Sequence, residues 1–120
     1  MSTPTTLHVL FVEDEDDLRF IMQGALADHG YEVTMARNGR EALEQLQGGH
    51  TFSHVVTDVS MPEGVSGLAV AAEALLRQPQ PRVVVASGYQ RSQLEHLPEG
   101  AHFLSKPYRI RQLLAALDGA

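Results

Sequence analysis

Short apolar runs alternate with stretches of helical period along the whole chain. Leu7–Val12 is continuous enough to predict a strand buried on both faces. Asp17–Ala27 then places Leu18, Ile21, Met22, Ala25 and Leu26 on one side of an amphipathic helix, with Gly30 as its stop. Tyr31–Ala36 alternates as an edge strand should, and Asn38-Gly39 predicts a turn. Arg40–Leu46 is a short helix with Ala42, Leu43 and Leu46 inward, broken by Gly48-Gly49. Phe52–Thr57 is the next strand and Leu68–Leu76 the next helix, ended by Pro79 and Pro81. The β-branched run in Arg82–Ala86 predicts an interior strand, followed by a short helix over Gln90–Leu97. Ala101–Leu104 and Arg109–Leu117 close the series as strand and helix. Five successive βα units imply an α/β fold, a doubly wound parallel sheet with helices on both faces, because each crossover is right-handed.

Composition narrows the function without naming it. A chain of 120 residues is long enough for one core and too short for two. With no long linker and a last helix running almost to the end, the expected organisation is a tail over 1–6, one domain over 7–120, and no output domain. The absence of cysteine excludes disulfide and thiolate chemistry. A net charge of −6 argues against a nucleic-acid partner. No apolar stretch approaches the roughly 20 residues that cross a bilayer, and Met1–Thr6 lacks an apolar leader core. The expectation is a soluble cytoplasmic protein without a membrane partner.

The chemistry lies at the ends of the predicted strands. Glu13 and Asp14 follow the first, Asp58 ends the third, Ser87 follows the fourth and Lys106 the fifth. Open α/β sheets bind ligands outside the carboxyl ends of their strands. Carboxylates gathered there repel one another and make sense as a seat for a hard divalent cation. A metal cradle, an aspartate able to form an acyl phosphate, and a hydroxyl and an ammonium for the phosphoryl oxygens are the parts of a phosphoryl-transfer site. The residues therefore read as a Mg²⁺-dependent phosphoryl acceptor.

This set resembles the receiver domain of bacterial two-component response regulators, and the match covers about Leu7 to Leu117. It is carried by Val12-Glu13-Asp14, Asp58 with Met61-Pro62, Gly67-Leu68, Ala86-Ser87-Gly88 and Lys106-Pro107. The resemblance implies a flavodoxin-like sheet of order 2-1-3-4-5 with five helices, and a phosphorelay function with Asp58 as phosphoacceptor. It implies that Asp14, Asp58 and the backbone carbonyl of Ser60 ligate Mg²⁺, with Glu13 acting through water. Ser87 and Lys106 would grip phosphoryl oxygens, Ser87 and Phe103 would form the switch, and Lys106-Pro107 would be cis. The implied donor is a histidine kinase or histidine phosphotransfer protein, recognised near Arg19, Phe20 and Gln23. A homodimer through the fourth and fifth helices is a further implication. Such a chain is not an enzyme toward other substrates; it catalyses only its own phosphorylation and dephosphorylation. The Ser87-Gly88-Tyr89 and Lys106-Pro107-Tyr108 combinations resemble receivers attached to hybrid sensor kinases.

Three departures from the family pattern stand out. The glycine after Met-Pro is delayed to Gly67, which predicts a one-residue insertion with Gly64 supplying an unusual turn. Phe103 lacks the hydroxyl of the commoner tyrosine, so a switch there would work by packing. Ser60 and Tyr89 flank the expected water approach, and a bulky Tyr89 would lengthen the life of an acyl phosphate. Simpler readings hold for other residues. Glu15, Asp16 and Asp17 read as an acidic helix start, and the six histidines as surface or strand-flank residues. A flavodoxin-like nucleotide binder is excluded by the acidic first loop, and an aspartyl phosphatase by Ser60 where a second aspartate is needed. The remaining alternative is a receiver-like interaction module that is no longer phosphorylated.

Overall fold

The apolar runs form five strands: β1 (His8–Val12), β2 (Glu32–Ala36), β3 (His54–Asp58), β4 (Arg82–Ser87) and β5 (Ala101–Ser105). They make one sheet of order β2-β1-β3-β4-β5 in a computed structural model that describes residues 7–61, 64–88 and 97–119. All four pairings are parallel. The helices are α1 (Asp16–Asp28), α2 (Gly39–Gln47), α3 (Gly67–Leu75) and α4 (Ile110–Asp118). Apart from Leu97, the helix expected over Gln90–Leu97 lies outside the described residues, so these contain four helices and not five. α4 is the expected last helix.

Alternation along the strands divides the core in two. Leu10, Val12, Val55, Val83 and Val85 pack against Ala42 and Leu46 of α2 and Val70, Ala71 and Ala74 of α3. Val9, Phe11, Val56 and Val84 face the other way, onto Met22 and Leu26 of α1 and Leu113 and Leu117 of α4. A strand covered on both faces has no polar side to show, which is why β1, β3 and β4 read as unbroken apolar runs. Edge strand β2 does not show the expected alternation in its burial: Glu32 is exposed, Val33, Thr34 and Met35 are half-buried and Ala36 is buried.

Local departures from the sequence reading have plain causes. Ile21 is 63% exposed, because the stripe facing the sheet is narrower than the apolar arc of α1. Asn38-Gly39 is not a free turn: Asn38 caps α2, its side chain accepting from the Glu41 N–H at 2.9 Å. Gly39 is buried in the first turn, with no room for a Cβ beside Val65. Gly64 adopts a φ of 79°, the left-handed turn expected of the longer loop.

Among the described residues, His54 is the histidine that is buried. It is buried at the start of β3, its Nδ1 2.8 Å from the Ser53 hydroxyl and its Nε2 3.0 Å from the Leu117 carbonyl. The carbonyl can only accept, so Nε2 carries the proton and Nδ1 accepts from Ser53. Burial holds the imidazole below its ordinary pKa. Below about pH 6.5, the ordinary histidine value, the unfolded chain takes up a proton that folded His54 resists. Stability should therefore fall as the pH drops through that region. The difference between the pH profiles of parent and His54→Gln, measured by urea unfolding from pH 7.5 to 5.5, isolates this contribution. Parallel profiles would show that His54 is not its source.

Candidate phosphoryl-acceptor site

Strand register decides which residues meet. Val12 pairs with Thr57, which sets Glu13 beside Asp58 one step further on. Asp58 pairs with Ala86, and Ser87 with Ser105, so Ser87 and Lys106 arrive at the same edge. The Lys106 N–H donates to the Ser87 carbonyl at 2.8 Å, extending the ladder to the loop that begins with the cis bond Lys106-Pro107. The expected residues are thus gathered from four strands at one end of the sheet.

One oxygen from each of Glu13, Asp14 and Asp58 lies within 4.8 Å of the others. Glu13 is almost wholly buried, Asp58 is buried and Asp14 is exposed. Lys106 reaches between them, its Nζ donating to Glu13 Oε1 at 2.9 Å and Asp58 Oδ2 at 3.0 Å. Burial works against the ammonium, but the hydrogen bonds to Glu13 and Asp58 outweigh it and hold its pKa above the ordinary lysine value. Burial pushes the Glu13 carboxyl up, against the opposing hydrogen bond from Lys106. Glu13 Oε2 also accepts from the Glu15 N–H at 3.2 Å, so both of its oxygens are engaged. Repulsion among the three carboxylates is therefore already partly relieved. One ammonium among three carboxylates leaves two net negative charges, which one divalent cation would balance. Oxygen donors at this spacing fit Mg²⁺, which takes carboxylate oxygens at about 2.1 Å and fills the rest of its octahedron with water or phosphate.

Ser87 is buried at the end of β4 beside this cluster. Phe103 is half-buried in β5, paired with Val85, and alternation sets it on the same face as Ala101. Ser60 is exposed just past Asp58, and Tyr89 lies outside the described residues. An open groove of about 480 Å³ reaches Lys106 between Glu15, Leu18, Gly88, Pro107 and Tyr108.

Three residues named from the sequence contribute in ways that the sequence does not assign. Tyr108 is half-buried near the cluster, where burial and then the Glu13 charge push its phenol up. Gly67 opens α3 with its Cα against the Asp58 carbonyl. Arg19, expected on the recognition surface, turns inward instead: its Nη1 donates to the Glu13 carbonyl at 2.9 Å and its Nη2 to the Asp16 carboxylate. Its neighbour Phe20 is 72% exposed, as a recognition residue would be. The Asp16–Arg19 spacing was legible as a helical ion pair, but nothing local points to a carbonyl six residues away.

The model of the response regulator receiver domain matches residues 9–118, and the chain belongs to that family. It is 34% identical over 113 residues to the response regulator receiver protein CpdR of Brucella abortus, covering 92% of each chain. It is 38% identical over 109 residues to the sensor kinase CckA of the same organism, covering 88% of this chain and 11% of the kinase. The crystal structure of TrrA from Thermotoga maritima, in complex with Mg²⁺-BeF, superposes with a TM-score of 0.82 at 27% identity. That alignment covers 95% of this chain and 98% of TrrA. The chain spans about half the length of two further curated relatives. The match thus includes receivers of the kind carried by sensor kinases. Among the described residues no helix is long and apolar enough to cross a membrane.

Proposed function

We propose that this receiver takes a phosphoryl group onto Asp58 from a phosphohistidine of a kinase or phosphotransfer protein, in a Mg²⁺-dependent step. The observation that carries the reading is the Lys106 ammonium, held 3.0 Å from Asp58 within a cluster of three carboxylates at the strand ends. An Asp58 oxygen attacks phosphorus, the new O–P bond forms, and the donor's P–N bond breaks with its electron pair left on the imidazole. Lys106, moving from Asp58 Oδ2 to a phosphoryl oxygen, keeps its charge where charge accumulates. Ser87 offers its hydroxyl to a second phosphoryl oxygen. Asp14 and Asp58, with the Ser60 carbonyl, would hold Mg²⁺, which when bound neutralises and orients the phosphoryl oxygens. Glu13, with both oxygens already engaged, fits a role through water. The groove beside Lys106 offers a route by which the donor side chain would approach.

Incubation with acetyl phosphate should add one phosphoryl mass in the presence of Mg²⁺ and none in EDTA. Asp58→Asn should add none in either case. Label that persists in Asp58→Asn removes Asp58 as acceptor. A parent that binds Mg²⁺ but gains no mass from either acetyl phosphate or a phosphohistidine donor would point to the interaction module instead.

A further inference from the structure

The short loop between β1 and α1 carries two of the three clustered carboxylates, and Arg19 fastens it. Only 12% of the Arg19 side chain is exposed. Its two terminal nitrogens are used on different partners, the Glu13 carbonyl and the Asp16 carboxylate. The Glu13 N–H donates to the Ala36 carbonyl at 3.0 Å, so Glu13 is held on both sides of its main chain. The Glu15 N–H donates to Glu13 Oε2, and the Glu15 carbonyl accepts the Arg19 N–H at 3.0 Å. Asp14 therefore hangs between two anchored residues, its backbone set before any ligand arrives.

We propose that Arg19 is a positioning residue: by clamping the main chain of Glu13 to the first turn of α1, it presets the Asp14 carboxylate and so raises the affinity of the cluster for Mg²⁺. The inference rests on the metal reading above and deepens it. Asp16 does not need Arg19 for neutralisation, since a carboxylate in the first turn of a helix already meets favourable backbone N–H groups. The carbonyl does benefit, because without the guanidinium the loop would have to be ordered when the ion binds, and ordering costs affinity. A planar fork can span two acceptors, whereas a lysine ammonium is one compact charge.

Calorimetric titration with MgCl₂, beside amide hydrogen exchange without metal, tests this on Arg19→Ala, Arg19→Lys and Asp16→Ala. Loss of groups that orient metal ligands typically weakens binding about tenfold or more. Arg19→Ala should show that loss, together with faster exchange at the Glu15 amide and unchanged exchange in β3 and β4. Arg19→Lys, whose compact ammonium cannot span both acceptors as the fork does, should fall between Arg19→Ala and the parent, and Asp16→Ala should lose less than Arg19→Ala. Parent-like Mg²⁺ affinity in Arg19→Ala overturns the proposal and leaves Arg19 a packing residue of α1. Should that variant not fold, Arg19→Met, which keeps an apolar stem and has no donor for the carbonyl, takes its place, and parent-like affinity in it overturns the proposal equally. A parent that takes up no Mg²⁺ overturns the metal reading itself and this role with it.

Discussion

Gly67→Ala should unfold far more easily than the parent and should lose phosphoryl labelling at Asp58. A Cβ at position 67 would stand 1.7 Å from the Asp58 carbonyl oxygen, 2.5 Å from its carbon and 2.9 Å from Val59 Cα. These are backbone atoms at the tip of an interior strand, and no rotamer change can relieve them. The Gly67 N–H also donates to the Val59 carbonyl at 3.0 Å, so α3 cannot back away without breaking that bond. Overpacking costs about 1–3 kcal/mol where side chains can shift. With backbone as the obstacle, about 3 kcal/mol or more is expected, on the order of 10 °C in Tm. Because relief must displace Asp58 itself, labelling should fall even at temperatures where the variant stays folded. Gly24→Ala is the control. It sits within α1 with nothing inside 4 Å of its Cβ, so it should gain up to about 1 kcal/mol. Urea denaturation of both variants decides the matter. A Gly67→Ala protein within 1 kcal/mol of the parent would mean that the contact relaxes without cost.

Lys106→Met should destabilise the metal-free protein and make its stability depend more strongly on Mg²⁺. Methionine keeps an apolar stem of similar length and removes the ammonium, leaving Glu13 and Asp58 buried and unpaired. Removing one partner of a fully buried ion pair costs about 3–5 kcal/mol. Lys106 is 21% exposed, so water recovers part of this and about 2 kcal/mol is the expected loss near neutral pH. The sign of the pH dependence follows from Glu13, whose carboxyl burial pushes up. A group with a raised folded pKa binds more protons when folded, so its contribution grows as the pH falls toward the ordinary carboxylate value of 4.5. The defect should therefore shrink on acidification. It should also shrink with Mg²⁺, which replaces the lost positive charge; an ion at a hundredfold excess over its dissociation constant adds about 2.7 kcal/mol to a protein that binds it only when folded. Denaturation with and without Mg²⁺, at pH 7.5 and 5.5, separates these effects. Equal stability of variant and parent without metal would show that Lys106 does not offset the carboxylates. Phosphoryl labelling should be slower in the variant, since no ammonium meets the incoming oxygens.

The alternation of strands and helices, the parallel sheet and the set of residues at its carboxyl edge were legible from the amino-acid order. Each of these rests on local spacing. An interior strand must be apolar throughout, as Val83-Val84-Val85 is, and a residue that ends such a strand must lie at the sheet edge. Glu13, Asp14, Asp58, Ser87 and Lys106 could be placed together on that rule alone, with the family motif supplying their expected roles. What these residues do to one another depends on the folded arrangement. Lys106 is 48 residues from Asp58 and 93 from Glu13, and its bridging position depends on register across four strands. The inward turn of Arg19 depends on a carbonyl at the end of β1, and the exposure of its neighbour Ile21 on how little of α1 the sheet can cover. His54 is buried because the end of α4 folds down onto it. The glycine at 67 reads as a delayed family motif in sequence, while its necessity comes from the Asp58 carbonyl oxygen, which a Cβ at 67 would meet at 1.7 Å. Periodicity reports which face a side chain occupies; which partner waits there is set by contacts between segments far apart in the chain.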